Sequence, residues 1–320
     1  MGDTEEKVIK QYSEKSISYT SAFTIDVEDG VSIAMRDAFG IKSKQTERVV
    51  VNTQKIVCLL EKYNVKATFF ILGKVAEDFP LLVKEISNGG HELGVHGYNH
   101  LQFFRMTPAE ALKELTDAKK LLEDISGKKI IGHRAPAFSV NSNTAWAFDV
   151  IAESGFTYDS SVIPIKGGHY GWPEFPKEIT PIITTNGAKL IVVPISTTKF
   201  FGRDIPYSGG GYLRLFPFLF TNHSFKSNVK NRPTILYIHP YELDTSRYPD
   251  YYFDALKRES LLKQLKMRSY WINRKRTYFK LEELLKKYSF STLKEVIDYT
   301  PFSESSGKQL VINTTDGEFM

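Results

Sequence analysis

The chain has 320 residues, 42% of them hydrophobic and 25% charged, with 21 Gly and 14 Pro, a balance that excludes disordered, collagen-like and coiled-coil proteins. The single Cys58 excludes a disulfide framework and a Cys-rich zinc site, and no apolar run approaches the roughly 18 residues a membrane helix needs. The net charge of +5 is uneven, since Lys257–Lys287 holds eleven Lys/Arg against three Glu; the remainder is mildly acidic, which argues against nucleic acid as a partner.

Taken in chain order, residues 1–18 read as a mobile arm with no apolar core of a signal peptide, so the expected location is cytoplasmic. Short apolar runs suited to buried strands follow at Ser21–Ile25, Ala67–Leu72, Glu92–Val95, Lys129–Gly132, Phe156–Tyr158, Lys189–Val193 and Thr234–Ile238. Amphipathic helices occupy several intervals. One is expected from near Phe79 to Ser87 and another from about Thr144 to Glu153. The clearest starts at Thr107-Pro108-Ala109-Glu110, a capping box with proline at the first helical position, buries Ala111, Leu115, Ala118 and Leu122, and stops at Gly127. The basic stretch 257–287 reads as a helix with a solvated cationic face, and residues 301–320 as a disordered tail. Strand alternating with helix at this spacing predicts a parallel α/β fold, either a barrel or a doubly wound sheet.

Ionisable residues follow at least five of the strands. The first runs into Asp26, Glu28 and Asp29; the third ends in His96 and His100; Arg134, Asp159 and His239 follow later ones. In a parallel barrel these strand ends share one face, where active sites are built. Two histidines four apart can turn both imidazoles to one metal, because one helical turn brings them to the same side, and two His plus one carboxylate leave open positions on zinc. Asp26 leaves its strand first and suits a general base, with Glu28 or Asp29 completing the ligand set. Either of those could equally be a helix cap. Arg134 would orient Asp26, and Asp159 could bond His239 and make it a proton donor. His91 and His133 read as structural, and His169 and His223 carry no supporting pattern. A backbone N–H after Pro136, at Ala137, suits an oxyanion. Tyr170, Trp172, Tyr207 and Tyr212 lie in Gly-rich loops, where they could stack on sugars or pack beneath the loop.

The ordered set TIDVEDG, HGYNH, RAPAFS, YDSS and LYIHPYELD resembles the five motifs of the polysaccharide deacetylases with a NodB homology domain, carbohydrate esterase family 4. GGHELGVHGYNH, GGGYLRLFP and MRSYWINRKRTYFKLEELL further resemble the subgroup tied to exopolysaccharide loci. The resemblance covers roughly 20–298 and implies a deacetylase domain over 19–300, folded as a distorted (β/α) barrel of about seven parallel strands. It also implies metal-dependent removal of N-acetyl groups from an oligo- or polysaccharide. Zinc is the expected metal, with cobalt or nickel as substitutes. By matching position Asp26 is the base, His96 and His100 are ligands, Arg134 orients the base, and Asp159 with His239 forms the acid pair. The family commonly has two adjacent aspartates, whereas Val27 and Glu28 separate Asp26 from Asp29, so both Glu28 and Asp29 stay open as the metal carboxylate. Other readings are a metal-independent ring-opening hydrolase of cyclic imides or ureides, a catalytically silent carbohydrate-binding protein, and a polyanion binder acting through 257–287.

Overall fold

A computed structural model of the protein describes residues 19–167, 170–300 and 310–320; the expected arm 1–18 and His169 lie outside them. The strands are β1 (Ser21–Val27), β2 (Thr68–Ile71), β3 (Glu92–Val95), β4 (Gly132–His133), β5 (Tyr158–Asp159), β6 (Thr180–Thr184), β7 (Lys189–Val192), β8 (Thr197–Phe200), β9 (Arg203–Pro206), β10 (Ile235–Ile238), β11 (Phe290–Ser291) and β12 (Leu310–Ile312). Seven of them, in the order β10-β1-β2-β3-β4-β5-β7, run parallel. The antiparallel β6 and then β12 extend the β7 edge.

Among the described residues no backbone ladder joins β7 to β10, which is the distortion in the barrel. An irregular segment fills the seam. Gly209 bridges to Tyr237, Tyr237 N–H donates to Ser208 O at 3.0 Å, and Ile235 N–H donates to Ser196 Oγ at 2.8 Å. A side chain at Gly209 would put its Cβ 2.1 Å from Tyr237 O, so only glycine admits this approach.

All of β1 is buried, as expected of a parallel strand covered on both faces. Phe23, Ile25 and Val27 face the outer layer and belong to the core that also holds Ile56 and Leu60 of helix Arg48–Lys62 and Leu115 and Leu122 of helix Pro108–Ser126. Ala22 faces the other way, into an inner cluster with Phe70, Phe138, Tyr158 and Tyr237. Thr24 and Asp26 share the Ala22 face by the two-residue period of a strand. The capping box at Thr107 forms as read, and Gly127 ends that helix in the left-handed conformation (φ 66°).

Three expectations change. The helix expected from Thr144 starts later, at Ala147–Glu153, because Asn141 caps a separate short turn at Ser142–Thr144. Residues 301–309 lie outside the described set, but from Leu310 the chain is no disordered tail. It forms β12 on β6, and Phe319 stacks on Trp172 with centroids 5.5 Å apart. The basic stretch is two helices, Leu261–Ser269 and Arg274–Lys287, broken where Asn273 turns left-handed (φ 62°). Its face is not wholly solvated. Lys280 is buried, and its Nζ donates to the carbonyls of Leu213, Arg214 and Phe216 at 2.8, 3.0 and 2.6 Å, capping the end of helix Gly210–Leu215.

His91 is structural, and it has a measurable consequence. Its Nδ1 accepts from Ala67 N–H at 3.2 Å, and burial, then Lys66 and Lys128, push its pKa from 6.5 down to about 4. The unfolded chain therefore takes up a proton near pH 6.5 that the folded chain refuses until about pH 4. The stability carried by the neutral ring is present above pH 6.5 and falls through that window by roughly 2–3 kcal/mol. His91→Gln should show a shallower loss of denaturant midpoint between pH 7 and pH 4.5; identical slopes in variant and parent would refute this.

Candidate metal centre and active site

The carboxyl ends of β1, β3, β4 and β10 bring the expected ionisable groups to one face. The best-held pair is Arg134 with Asp26, both buried. Arg134 Nη1 donates to Asp26 Oδ1 and to Thr24 Oγ1, both at 2.7 Å, while its Nε and Nη2 donate to Ser160 O and Ser160 Oγ at 3.0 and 2.9 Å. The guanidinium also lies over the Phe70 ring, 4.4 Å from its centroid. These contacts lock Asp26 Oδ1, whereas Oδ2 accepts no hydrogen bond among the described residues.

Glu28, two residues on and on the same side of the chain as Asp26, stands against both histidines. His100 Nε2 lies 2.8 Å and His96 Nε2 3.7 Å from Glu28 Oε2, and one ligand atom from each residue falls within 4.8 Å of the others. His100 and His239 hold the Glu28 carboxyl well below its usual range, overcoming the burial that opposes this. The donor set suits a divalent ion. Two imidazole nitrogens and a buried carboxylate oxygen with no well-aligned hydrogen bond make a three-residue set of the kind that leaves positions open. His96 Nδ1 lies 2.9 Å from Arg134 O, so its hydrogen belongs on Nδ1 and its Nε2 lone pair faces the cluster. Arg36 Nη2, which can only donate, lies 2.7 Å from His100 Nδ1, so that nitrogen accepts and the ring hydrogen lies on Nε2, 2.8 Å from Glu28 Oε2, where a metal ion would displace it; Asp37 Oδ2 is 3.6 Å from Nδ1.

The two histidines do not converge by a helical turn, as their spacing suggested. His96 closes β3, and the following bend returns because Gly97 and His100 both take left-handed backbone (φ 74° and 59°). That conformation is uncommon for histidine and is held here at a residue of the candidate centre.

Asp29 does not join the centre. It is buried as the cap of the turn Gly30–Ile33, accepting from Val31 N and Ser32 N at 3.2 and 3.3 Å and from Thr46 N and Oγ1 at 2.8 and 3.0 Å. Burial raises its carboxyl pKa against those hydrogen bonds.

The acid pair is also assembled differently. Asp159 accepts from Ser161 Oγ at 2.6 Å and lies 2.7 Å from His133 Nδ1, so it is spent on a buried histidine and not on His239. His239 Nε2 instead lies 3.5 Å from Glu28 Oε1 and 3.8 Å from Asp26 Oδ2, while its Nδ1 is 3.9 Å from Glu242 Oε1. Burial opposes charge on His239, yet Glu28, Glu242 and Asp26 push its pKa up to about 9. Tyr241 stacks on its ring at 4.8 Å and 14°. Glu242 and the Arg36–Asp37 pair were missed by sequence reasoning. The available signal for Glu242 was its place three residues after His239, and Arg36 and Asp37 gave none.

The loop after Arg134 keeps Ala137 exposed in left-handed backbone (φ 53°), with its N–H donating to no described backbone acceptor. Tyr207 and Trp172 are core residues and cannot meet a sugar, whereas Tyr170 is exposed and Tyr212 half-buried.

The fold and site define a parallel α/β barrel of the NodB-like kind, with a carboxylate–histidine centre at its strand ends. Residues 45–158 match the family model described as polysaccharide deacetylase, and residues 160–298 match a domain of unknown function, DUF3473. Over residues 45–158, about a third of its length, this chain is thus similar to the polysaccharide deacetylases. A peptidoglycan-N-acetylglucosamine deacetylase of Bacillus cereus is 29% identical over 170 residues, 44% of this chain and 62% of the relative. The chain thus spans under two thirds of the length of that relative. Among solved structures, a Mycobacterium smegmatis protein described as a candidate polysaccharide deacetylase has a TM-score of 0.58 at 20% identity, covering 89% of this chain and 91% of that one. An allantoinase has a TM-score of 0.54 at 13% identity, also covering 89% and 91%. Both likenesses concern the fold alone. No helix among the described residues is long and apolar enough to cross a membrane.

Proposed function

We propose that the chain removes N-acetyl groups from sugars of a polysaccharide or its precursor, with Glu28, His96 and His100 holding a divalent ion, zinc foremost. The observation that carries this reading is convergence. A three-residue ligand set is joined through Glu28 by a histidine, His239, whose Nε2 is within 4 Å of both Glu28 and Asp26, a carboxylate with one free oxygen.

A bound divalent ion supplies a Lewis acid that polarises the acetyl carbonyl and acidifies water. Asp26, its Oδ1 fixed by Arg134, takes the proton from the attacking water through Oδ2. Ala137, an exposed residue whose N–H has no acceptor recorded among the described residues, is suited to the oxyanion of the tetrahedral species. His239 then gives its proton to the amine nitrogen as the carbon–nitrogen bond breaks, releasing acetate and a free amino sugar. The allantoinase likeness supports no ring-opening reading, because it is one of fold only and both histidines are in place here.

Metal content by mass spectrometry, measured beside acetate release from N-acetylated oligosaccharides, tests this. Near one ion per chain is expected in the parent, with ion and acetate release lost together in the His96→Ala, His100→Ala double variant. A site that stays empty on incubation with zinc, cobalt or nickel, or acetate release that survives in the double variant, would overturn the proposal.

A further inference from the structure

A cavity of about 420 Å³ opens beside the candidate centre and shares its wall. Tyr241 stacks on His239 and also lines the cavity, as does Asp37, whose Oδ2 is 3.6 Å from His100 Nδ1. The far wall comes from helix Leu261–Ser269 and the start of helix Arg274–Lys287, within the region matched by the domain of unknown function.

Two features of that wall select a ligand. It is aromatic, with Tyr270 and Trp271 facing the same space as Tyr241, which suits the apolar faces of sugar rings. It is also cationic. Lys263, Lys266 and Arg274 line it against the single carboxylate of Asp37, and Asp37 is already held by Arg36 through bonds of 2.7 and 3.0 Å. Lys263 is paired with Glu259 at 2.9 Å, while Lys266 forms no ion pair with a described residue.

Arg274 is the strongest sign. Its side chain is 5% exposed, yet its hydrogen bonds go to Tyr270 O, Asp244 O and the Tyr248 hydroxyl, and no described carboxylate forms an ion pair with it. Its guanidinium lies 4.5 Å from the Trp271 ring centroid. A buried cation that meets no described carboxylate directly, at the edge of an open cavity, favours a ligand that supplies negative charge there.

We infer that this cavity binds a sugar residue carrying a negative charge, a carboxylate or a phosphate, next to the N-acetylated residue at the metal centre. The inference rests on the deacetylase reading for what sits at the centre, but it assigns the cavity a ligand class of its own. It also gives the basic stretch a task other than general polyanion binding.

The test is binding to the full-length protein, followed by Trp fluorescence and calorimetry, with acetate release measured separately. A hyaluronan tetrasaccharide should bind about tenfold more tightly than N-acetylchitotetraose, a difference of about 1.4 kcal/mol. Alternatively, N-acetylglucosamine 1-phosphate should exceed N-acetylglucosamine by a like factor. The arm that shows the gain tells carboxylate from phosphate. Lys263→Gln with Lys266→Gln, both away from the core, should reduce the preference to under threefold while neutral ligands bind as before. Equal affinity for charged and neutral ligands in the parent, or a preference untouched by the double variant, overturns the inference. Because these readouts do not depend on turnover, a charge preference without acetate release would sink the deacetylase reading and leave the cavity assignment standing.

Discussion

Replacing Arg134 by methionine is expected to destabilise the protein by about 3–5 kcal/mol, the largest single effect we foresee on folding. The guanidinium is completely buried and serves Asp26, Thr24 and Ser160 together. Its loss leaves the Asp26 carboxylate in the barrel without its cation, and also frees the Thr24 and Ser160 oxygens from their donor. Methionine fills much of the volume but supplies no donor. A thermal or urea unfolding midpoint measures the loss. A second variant separates charge from packing. Arg134→Met combined with Asp26→Leu removes both members of the pair and should recover a good part of the stability, because an apolar pair no longer strands a charge. If Arg134→Met alone unfolds within 1 kcal/mol of the parent, the pair is not what holds this face together.

Asp26→Asn is expected to lower the rate of acetate release by about 10²–10⁴-fold while leaving metal content unchanged. Asparagine keeps the shape and one acceptor oxygen toward Arg134, so the fold should persist, but an amide cannot take the water proton. The neighbouring carboxylates should behave differently. Glu28→Gln should lose the ion together with activity, since Glu28 stands with His96 and His100. Asp29→Asn should keep the ion and most of the activity, at a stability cost on the order of 1 kcal/mol for a weakened cap. Metal retained in Glu28→Gln and lost in Asp29→Asn would reverse the assignment.

Much of this was legible in the sequence, and for identifiable reasons. Buried parallel strands read as apolar runs, so β1, β3 and β10 were found nearly to the residue. The capping box at Thr107 and the stop at Gly127 are local chemistry, written within a few residues. The rule that a parallel barrel gathers its strand ends on one face placed Asp26, His96, Arg134 and His239 together without coordinates.

What the sequence could not settle depended on direction and on contacts between distant segments. Glu28 lies on the Asp26 side of the chain by strand period, but the strand ends at Val27, so only the backbone beyond it could show which of Glu28 and Asp29 turns inward. The answer lies partly in Thr46, seventeen residues away, whose N–H and hydroxyl claim Asp29 for a cap. Asp159 suited His239 as a partner, yet β5 lies beside β4, so the carboxylate meets His133 instead. Glu242 reaches the vicinity of His239 only because Pro240–Leu243 turns back as a short 3₁₀ helix. The tail was polar enough to read as disordered, but Ile312 and Phe319 find β6 and Trp172 to cover them. Local hydrogen bonding and hydrophobic period are fixed by neighbours along the chain, whereas the partner of a buried polar group is fixed by which strands pack side by side, and only the tertiary structure decides that.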